Sequence, residues 1–400
     1  MVTNARSARS MVAELYATLA RGDEAAVRAL LHPEFVGTLA PGLPFGIGGE
    51  HRGPDAMIRD GWFAIGRHWR IRAEPGSSAM LEDDRLMVRG TYRGTSRRAA
   101  KPVEALFVHV VTFRDGLISE LSQVTDTAVF VEALGDERPM RTMDLSVAEG
   151  VATLCLSRPD SRNAIDQTVA DELLAAALRI SRDTRVRALL VCGDGPSLTV
   201  GGDIAYFGSG DQRDLSAQLR EMTTPFHLAF QVLAALDVPI VTAAQGSIAG
   251  GGLGLVFAAD LVVASEEARF VTAFAQLGLS GDGGGTWHLP RKIGPARAAQ
   301  AYLLNEPITA AQALEWGLVN EVVPSGQVRE RATALAGRLA EGPTRAYAHM
   351  RKLLRESWDR SLPEQLEAEI QSLVATARTA DAQAAITAFQ TKQTPKFEGA

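Results

Sequence analysis

Asp282 is the single carboxylate in the stretch Gly278–Trp287 (GLSGDGGGTW), where five glycines surround it, four of them within Gly281–Gly285. Glycine runs often cradle phosphates, but an acidic side chain among them repels a phosphate. The stretch therefore reads as bare backbone left around a proton-handling group. Two further glycine-rich stretches precede it, Leu198–Ile204 (LTVGGDI) and Gln245–Asp260 (QGSIAGGGLGLVFAAD), each directly after a strand-like run. The sequence has no GxxxxGK[ST] and no complete GxGxxG, which argues against a nucleotide-phosphate loop. Glycine at a strand-to-helix turn instead exposes backbone N–H groups with the positive end of a helix behind them. Two such donors on one carbonyl oxygen make an oxyanion hole, each worth roughly 3 kcal/mol. Such a hole suits thioester chemistry, because polarising the C=O acidifies the adjacent carbon. A single glycine-rich turn is most simply a tight turn, but two in this order, each after a strand, weigh against that reading.

The elements that must position these stretches follow from the patterning. GVATLCLSRP and VRALLVCGDG read as strands around the helix IDQTVADELLAAALRIS, and VPIVTAAQG follows another helix. Strands alternating with helices imply repeated βα units and a mostly buried sheet. From Thr309 the chain is chiefly helical, and Leu366, Ile370, Leu373 and Val374 form an apolar stripe at helical spacing, a packing face within the protein or against another subunit. The N-terminal part has a different grammar. SARSMVAELYATLARGDEAAVRALLHPEFVG reads as two amphipathic helices broken at Gly22-Asp23, with Asp23 capping the second. In VEALFVHVVTFRDGLISELSQVTD, Phe107, His109, Val111 and Phe113 share one strand face, and Arg114-Asp115-Gly116 marks a hairpin turn. Helices followed by a long antiparallel sheet make an α+β domain. The expected division is residues 1–134, a polar linker 135–140 (GDERPM), and residues 141–400. Tyr16, His51 and His109 are candidates to face a pocket in the first domain. A histidine on a strand is more often packed than a base, so this domain reads as a binding or oligomerisation module.

Composition bounds the partners. A formal net charge of −6 provides no basic footprint for nucleic acid. The N-terminal residues carry charges throughout, with no apolar signal-peptide core, which reads as cytoplasmic. Val238–Ala259 is uncharged and long enough to span a bilayer, but its proline, glutamine and glycines suit a buried strand–turn–helix, so no membrane partner is expected. The cysteines, Cys155 and Cys192, lie in apolar runs and make no metal or disulfide pattern, so no metal is expected and both read as buried thiols.

LSRPDSRNAID, VGGDI, GSIAGGGLGL, LGLSGDGGGTWHLPRKIG, QALEWGLVNEVV and ITAFQTKQTPKF together resemble the enoyl-CoA hydratase/isomerase (crotonase) superfamily over Thr142 to Phe397. The resemblance implies a spiral of repeated ββα units with a helical C-terminal region, and trimers or hexamers built from them. It also implies an acyl-CoA substrate, with coenzyme A as part of the substrate and no tightly bound cofactor. By it, Gly202 and Gly251 donate the two oxyanion N–H groups. Arg162, Asn163 and Ala164, with Asp203 and Ile204, line the coenzyme A arm, and Phe389 and Lys392 reach its adenine end, from the same or a neighbouring subunit. LYATLARGDEAAVRALL, HRGPDAMI and FRDGLISEL resemble the NTF2-like, SnoaL-type cone over most of the first 130 residues.

The departures from the family decide the chemistry. Hydratases of this family hold water between two glutamates, and those places here are Gly254 and Phe274. Water addition needs a base and an acid near each other. Asp282 occupies the loop position used by non-hydratase members, with Phe274, Leu277, Leu279 and Trp287 expected as apolar walls that raise its pKa. One base suffices for an isomerase, so the expectation is isomerisation with Asp282 as acid/base. Alternatives are Asp282 as a nucleophile on an activated aryl thioester, a hydratase, lyase or hydrolase reaction on an unusual substrate with a contribution from Gln276 or His288, or a catalytically degenerate thioester-binding protein. A further alternative is that Asp282 merely caps the helix beginning near Gly285.

Overall fold

A computed structural model describes residues 5–81, 84–135, 139–208 and 215–399. The chain divides into two units, Met1–Pro139 and Met140–Ala400. That division falls inside the stretch expected as a linker, of which residues 136–138 lie outside the described residues.

The first unit begins with the helices Ala5–Arg21 and Glu24–Ala29, and the Asp23 carboxylate caps the second by accepting from the Ala26 amide. Six strands follow: β1 (Leu31–Leu39), β2 (Gly49–Arg52), β3 (Trp69–Met80), β4 (Arg85–Ser96), β5 (Pro102–Arg114) and β6 (Leu117–Thr125), in sheet order β2-β1-β6-β5-β4-β3. The β5–β6 turn is Asp115-Gly116, both left-handed, which matches the twist of a two-residue hairpin. Alternate residues of β5, from Val103 through Phe107 and His109 to Phe113, are buried. With Phe35, Trp69 and Phe130 they build one core, each large side chain contributing roughly 1.5–3 kcal/mol by burial. The sheet is not wholly antiparallel as expected, since β1 pairs with β6 in parallel. Strand periodicity carries no information about which distant strand becomes the neighbour.

In the second unit β7 (Met143–Ala148), β8 (Val151–Leu156), β9 (Ala188–Gly193), β10 (Ile240–Ala244), β12 (Leu261–Ser265) and β15 (Glu321–Val323) form one sheet, ordered β15-β12-β10-β9-β8-β7. All neighbours are parallel except the β7–β8 hairpin. A small sheet, β11-β13-β14, is built from β11 (Ser247–Ala249), β13 (Arg269–Val271) and β14 (Ile308–Thr309). Every residue of β9 and β10 is buried, as expected of parallel strands covered on both faces. One face packs on the helices Gln167–Arg182 and Leu215–Ala234, the other on Val328–Ala340. Val238–Ala259, weighed as a span, instead runs through β10, β11, the 3-10 turn Gly250–Leu253 and the short helix Gly254–Phe257. Among the described residues no helix is long and apolar enough to cross a membrane. The C-terminal stripe is not covered by its own chain: Leu366, Ile370, Leu373 and Val374 are all exposed on the helix Leu362–Ala377.

Candidate active site

Ligands of parallel sheets gather beyond the carboxyl ends of the strands, and here three loops leaving β8, β9 and β10 are stitched together there. Asn163, after β8, donates from its side-chain amide to the carbonyls of Asp194 and Ser197, after β9, at 2.9 Å each. Its own Oδ1 accepts from the Arg158 amide at 2.8 Å. The Thr199 hydroxyl donates to the Asn163 carbonyl at 2.7 Å, and Ala249, in β11, donates to the Thr199 carbonyl at 3.1 Å. These bonds hold Gly202 and Gly251 on the rim of one cavity of about 410 Å³.

The cavity is lined by Ile204, Phe207, Leu219, Met222, Phe226 and Phe274, among others, and among the described residues Asp282 is its single ionisable group. Leu219, Met222, Thr223 and Phe226 come from the helix Leu215–Ala234 at i, i+3, i+4 and i+7, one face of a helix. Pro225 within that helix cannot donate to the Glu221 carbonyl, and the Gln167 side chain donates to that carbonyl instead, at 3.4 Å.

Asp282 does not cap a helix. The helix Gly285–Ile293 is preceded by Gly284 as its cap, with no side-chain bond, while the Asp282 carboxylate meets His227 through Oδ1. Its Oδ2 lies 2.9 Å from where a Cβ on Gly251 would stand, so the carboxylate reaches the backbone of the expected oxyanion donor. Gly283 makes this approach possible. Its φ is +64°, and a Cβ there would sit 2.4 Å from the Gly251 carbonyl oxygen.

His227 is the residue that sequence reasoning missed. It follows the cavity-lining Thr223 by one helical turn, a spacing that could have revealed it, but it stands 55 positions before Asp282. The expectation of an isolated carboxylate in apolar walls is corrected accordingly: an imidazole shares the site. The hydrogen bond to Asp282 raises the His227 pKa above its ordinary value, against partial burial. Burial, with the Asp282 charge adding to it, pushes the Tyr302 hydroxyl up to about 12, so it stays protonated. Trp287 is not among the wall residues; it packs under the Arg291 guanidinium instead. Burial and the nearby Lys292 and Arg291 lower His288 to about 4, and it stacks on Phe257 away from the cavity lining, whereas Gln276 does line it.

The places of the two hydratase glutamates are filled. A Cβ on Gly254 would stand 2.3 Å from the Phe230 ring and 2.9 Å from the Gly283 carbonyl. Phe274 lines the cavity with its ring stacked on Tyr302. Of the residues expected along the coenzyme A arm, Arg162 and Asn163 adopt left-handed backbone, and the Asn163 side chain is spent on the loop bonds above. Ala164 is buried, and its carbonyl accepts from Arg158 at 2.6 Å. Asp203 pairs with Arg158 and accepts from the amides of Ala205 and Tyr206, while Ile204 lines the cavity. Phe389 and Lys392 lie at the end of the helix Ala380–Gln390 and are not among the lining residues of this chain; Phe389 is 86% exposed.

Residues 146–400 match the family model described as enoyl-CoA hydratase/isomerase, and residues 12–121 match a SnoaL-like domain. The chain is 34% identical over 258 residues to a probable enoyl-CoA hydratase of Rhodobacter capsulatus, covering 64% of this chain and 98% of that protein. It is 34% identical over 256 residues to the 1,2-epoxyphenylacetyl-CoA isomerase of Escherichia coli, covering 63% and 97%. A crystal structure of a putative enoyl-CoA hydratase/isomerase from Mycobacterium abscessus superposes with a TM-score of 0.62 at 38% identity, covering 64% of this chain and all of that one. The chain therefore belongs to the enoyl-CoA hydratase/isomerase family, with a SnoaL-like domain ahead of the family region.

Proposed function

We propose that the C-terminal unit isomerises an acyl-CoA thioester, shifting a double bond or rearranging a ring conjugated to the carbonyl, with Asp282 as acid and base. One observation carries this reading: a lone carboxylate stands between His227 and the Gly251 backbone in a cavity whose other described lining cannot ionise. The amides of Gly202 and Gly251 hold the thioester oxygen. Asp282 removes a proton from one carbon, the electron pair delocalises onto that oxygen as an enolate, and the same carboxyl, after exchanging with solvent, returns a proton to another carbon. No water is consumed. Hydration by the family's pair of glutamates has no counterpart here, because Phe230 and Phe274 occupy the space where those glutamates would act. Arg162, Ala164, Asp203 and Ile204 would border the coenzyme A arm. Phe389 and Lys392 would serve it from a neighbouring copy, in a trimer that covers the exposed stripe of Leu362–Ala377. Light scattering at micromolar concentration is expected to give a multiple of three chains, and a clean monomer would remove this part of the reading.

The central test is incubation with a panel of enoyl-CoA esters in D₂O. Deuterium at the α- or γ-carbon without added water is the expected result. A 3-hydroxyacyl product would establish a hydratase instead, and no turnover across the panel would leave thioester binding alone. The His227–Asp282 contact favours one second reading. Asp282 would attack a ring carbon, expel a leaving group with its electron pair, and His227 would take the proton of the water that hydrolyses the aspartyl ester. In heavy-oxygen water a single turnover then places label in Asp282, whereas isomerisation places none there.

A further inference from the structure

Cys155 on β8 and Cys192 on β9 are direct partners across neighbouring parallel strands. Both side chains belong to the cluster under the helix Val328–Ala340, so they point to the same face of the sheet. Adjacent strands lie about 4.8 Å apart, within the roughly 4.4–6.8 Å between Cα atoms that a disulfide needs. Arg329, in the first turn of that helix, donates to both sulfurs, to Cys192 at 3.2 Å, and also to the Asp194 carboxylate at 3.1 Å. The Cys155 sulfur lies 3.4 Å from the same carboxylate. Other neighbours in this cluster are aliphatic: Leu190, Val241, Ala243, Val263, Val328, Ala332 and Ala336. A guanidinium on the sulfurs and a carboxylate beside one of them is an arrangement that polarises the pair, and packing alone does not require it.

We propose that Cys155 and Cys192 form a peroxide-oxidisable dithiol, with Cys192 as the attacking thiolate and Cys155 as the resolving thiol. A hydrogen bond from Cys155, then the Arg329 guanidinium, lower the Cys192 thiol against its burial, whereas Cys155 is raised, first as donor to Cys192 and then by burial. The thiolate of Cys192 attacks the O–O bond, giving the sulfenic acid and, after proton uptake, one water. The Cys155 thiol then displaces that hydroxyl, forming the S–S bond and releasing a second water. Peroxide is reduced by two electrons and the two thiols are oxidised. Cys192 is 1% and Cys155 5% exposed, while the Arg329 side chain that covers them is 55% exposed, so movement of that arm admits the oxidant. Burial makes the reaction slower than at a surface thiol.

The site also has a mechanical reach. Asp194 holds Arg329 through its side chain and Asn163 through its carbonyl, and Asn163 organises the loop leaving β8. Closing the disulfide displaces Arg329 from the sulfurs and loosens that chain of bonds.

The test uses the full chain, which has no cysteine besides these two. Hydrogen peroxide followed by non-reducing peptide mapping is expected to give a Cys155–Cys192 peptide, reversed by dithiothreitol. Hydrogen exchange over residues 158–164 is expected to rise in the oxidised protein. Arg329→Gln is expected to slow iodoacetamide labelling of Cys192 at pH 7 by about 10-fold, and Arg329→Lys to keep most of the rate. Cys155→Ser is expected to stop at a sulfenic acid trapped by dimedone. Disulfides only between chains, no cross-link at all, or labelling indifferent to Arg329→Gln would each overturn the dithiol. Unchanged exchange after complete oxidation would overturn its link to the loop.

Discussion

The two units each build a histidine-centred network, and they use it oppositely. In the N-terminal unit His109 is 3% exposed, with Nδ1 on the Tyr16 hydroxyl and Nε2 on the Tyr92 hydroxyl, each at 2.8 Å. Gln123 donates to Tyr92 and accepts from the Ala40 amide, so the chain of bonds ends on backbone. His51 is likewise buried, with Nε2 bonded to the Ile47 carbonyl. Burial lowers His109 to about 3 and raises both tyrosines, which leaves the network neutral near pH 7. In the C-terminal unit His227 is about half exposed and faces a carboxylate at the edge of a cavity. A network closed on itself holds a fold together; the same ring beside an acid and an opening can exchange protons with a ligand. The residues expected as candidates for a pocket in the first unit are thus its polar core.

The contrast can be broken at several points. The largest effect is expected from Asp282→Asn, which preserves size and removes the titrating proton. Turnover should fall roughly 10²–10⁴-fold with little change in acyl-CoA affinity by calorimetry. Full activity with a lower melting temperature would make Asp282 a structural residue. Next comes acid. His109 binds its proton in the unfolded chain near 6.5 but in the folded unit only near 3. Stability is therefore complete above about 6.5 and declines as pH falls toward 3, by about 1.4 kcal/mol per unit, or about 2 kcal/mol at pH 5. Urea melts of the full chain, followed by exchange protection in β5, should show this slope, and His109→Gln should flatten it. The smallest effect is expected at His227. With its pKa raised, the imidazolium–carboxylate pair is fully present below the ordinary histidine value and is lost as pH rises through the raised one. His227→Asn should lower kcat about 10-fold and erase that alkaline limb from the profile. A limb of the same shape in both proteins would dissociate His227 from the chemistry.

What was legible in the sequence was local. The Asp23 cap, the Asp115-Gly116 turn and the alternation through Phe107 and His109 each follow from neighbours within a few positions, and so they read directly. Asp282 stood out because glycines stripped everything else from around it. The β1–β6 pairing, the His227–Asp282 contact and the inward turn of Asn163 depend on residues 31 or more positions apart, which no periodicity encodes. Trp287 shows the converse limit: adjacency in sequence to Asp282 did not place it in the wall, because the helix starting at Gly285 carries it to Arg291.

The ring of Phe230 against Gly254 also constrains how this chain could change over generations. A glutamate at position 254 would drive its Cβ to within 2.3 Å of that ring, an overpacking of typically 1–3 kcal/mol before any new chemistry appeared. Shrinking Phe230 first would open a void and give no activity in return. A route to a two-carboxylate, water-adding site thus passes through a less stable neighbour whichever substitution comes first. Phe230 acts as a ratchet, and a library that varies positions 230 and 254 together should cross where single-site libraries stall.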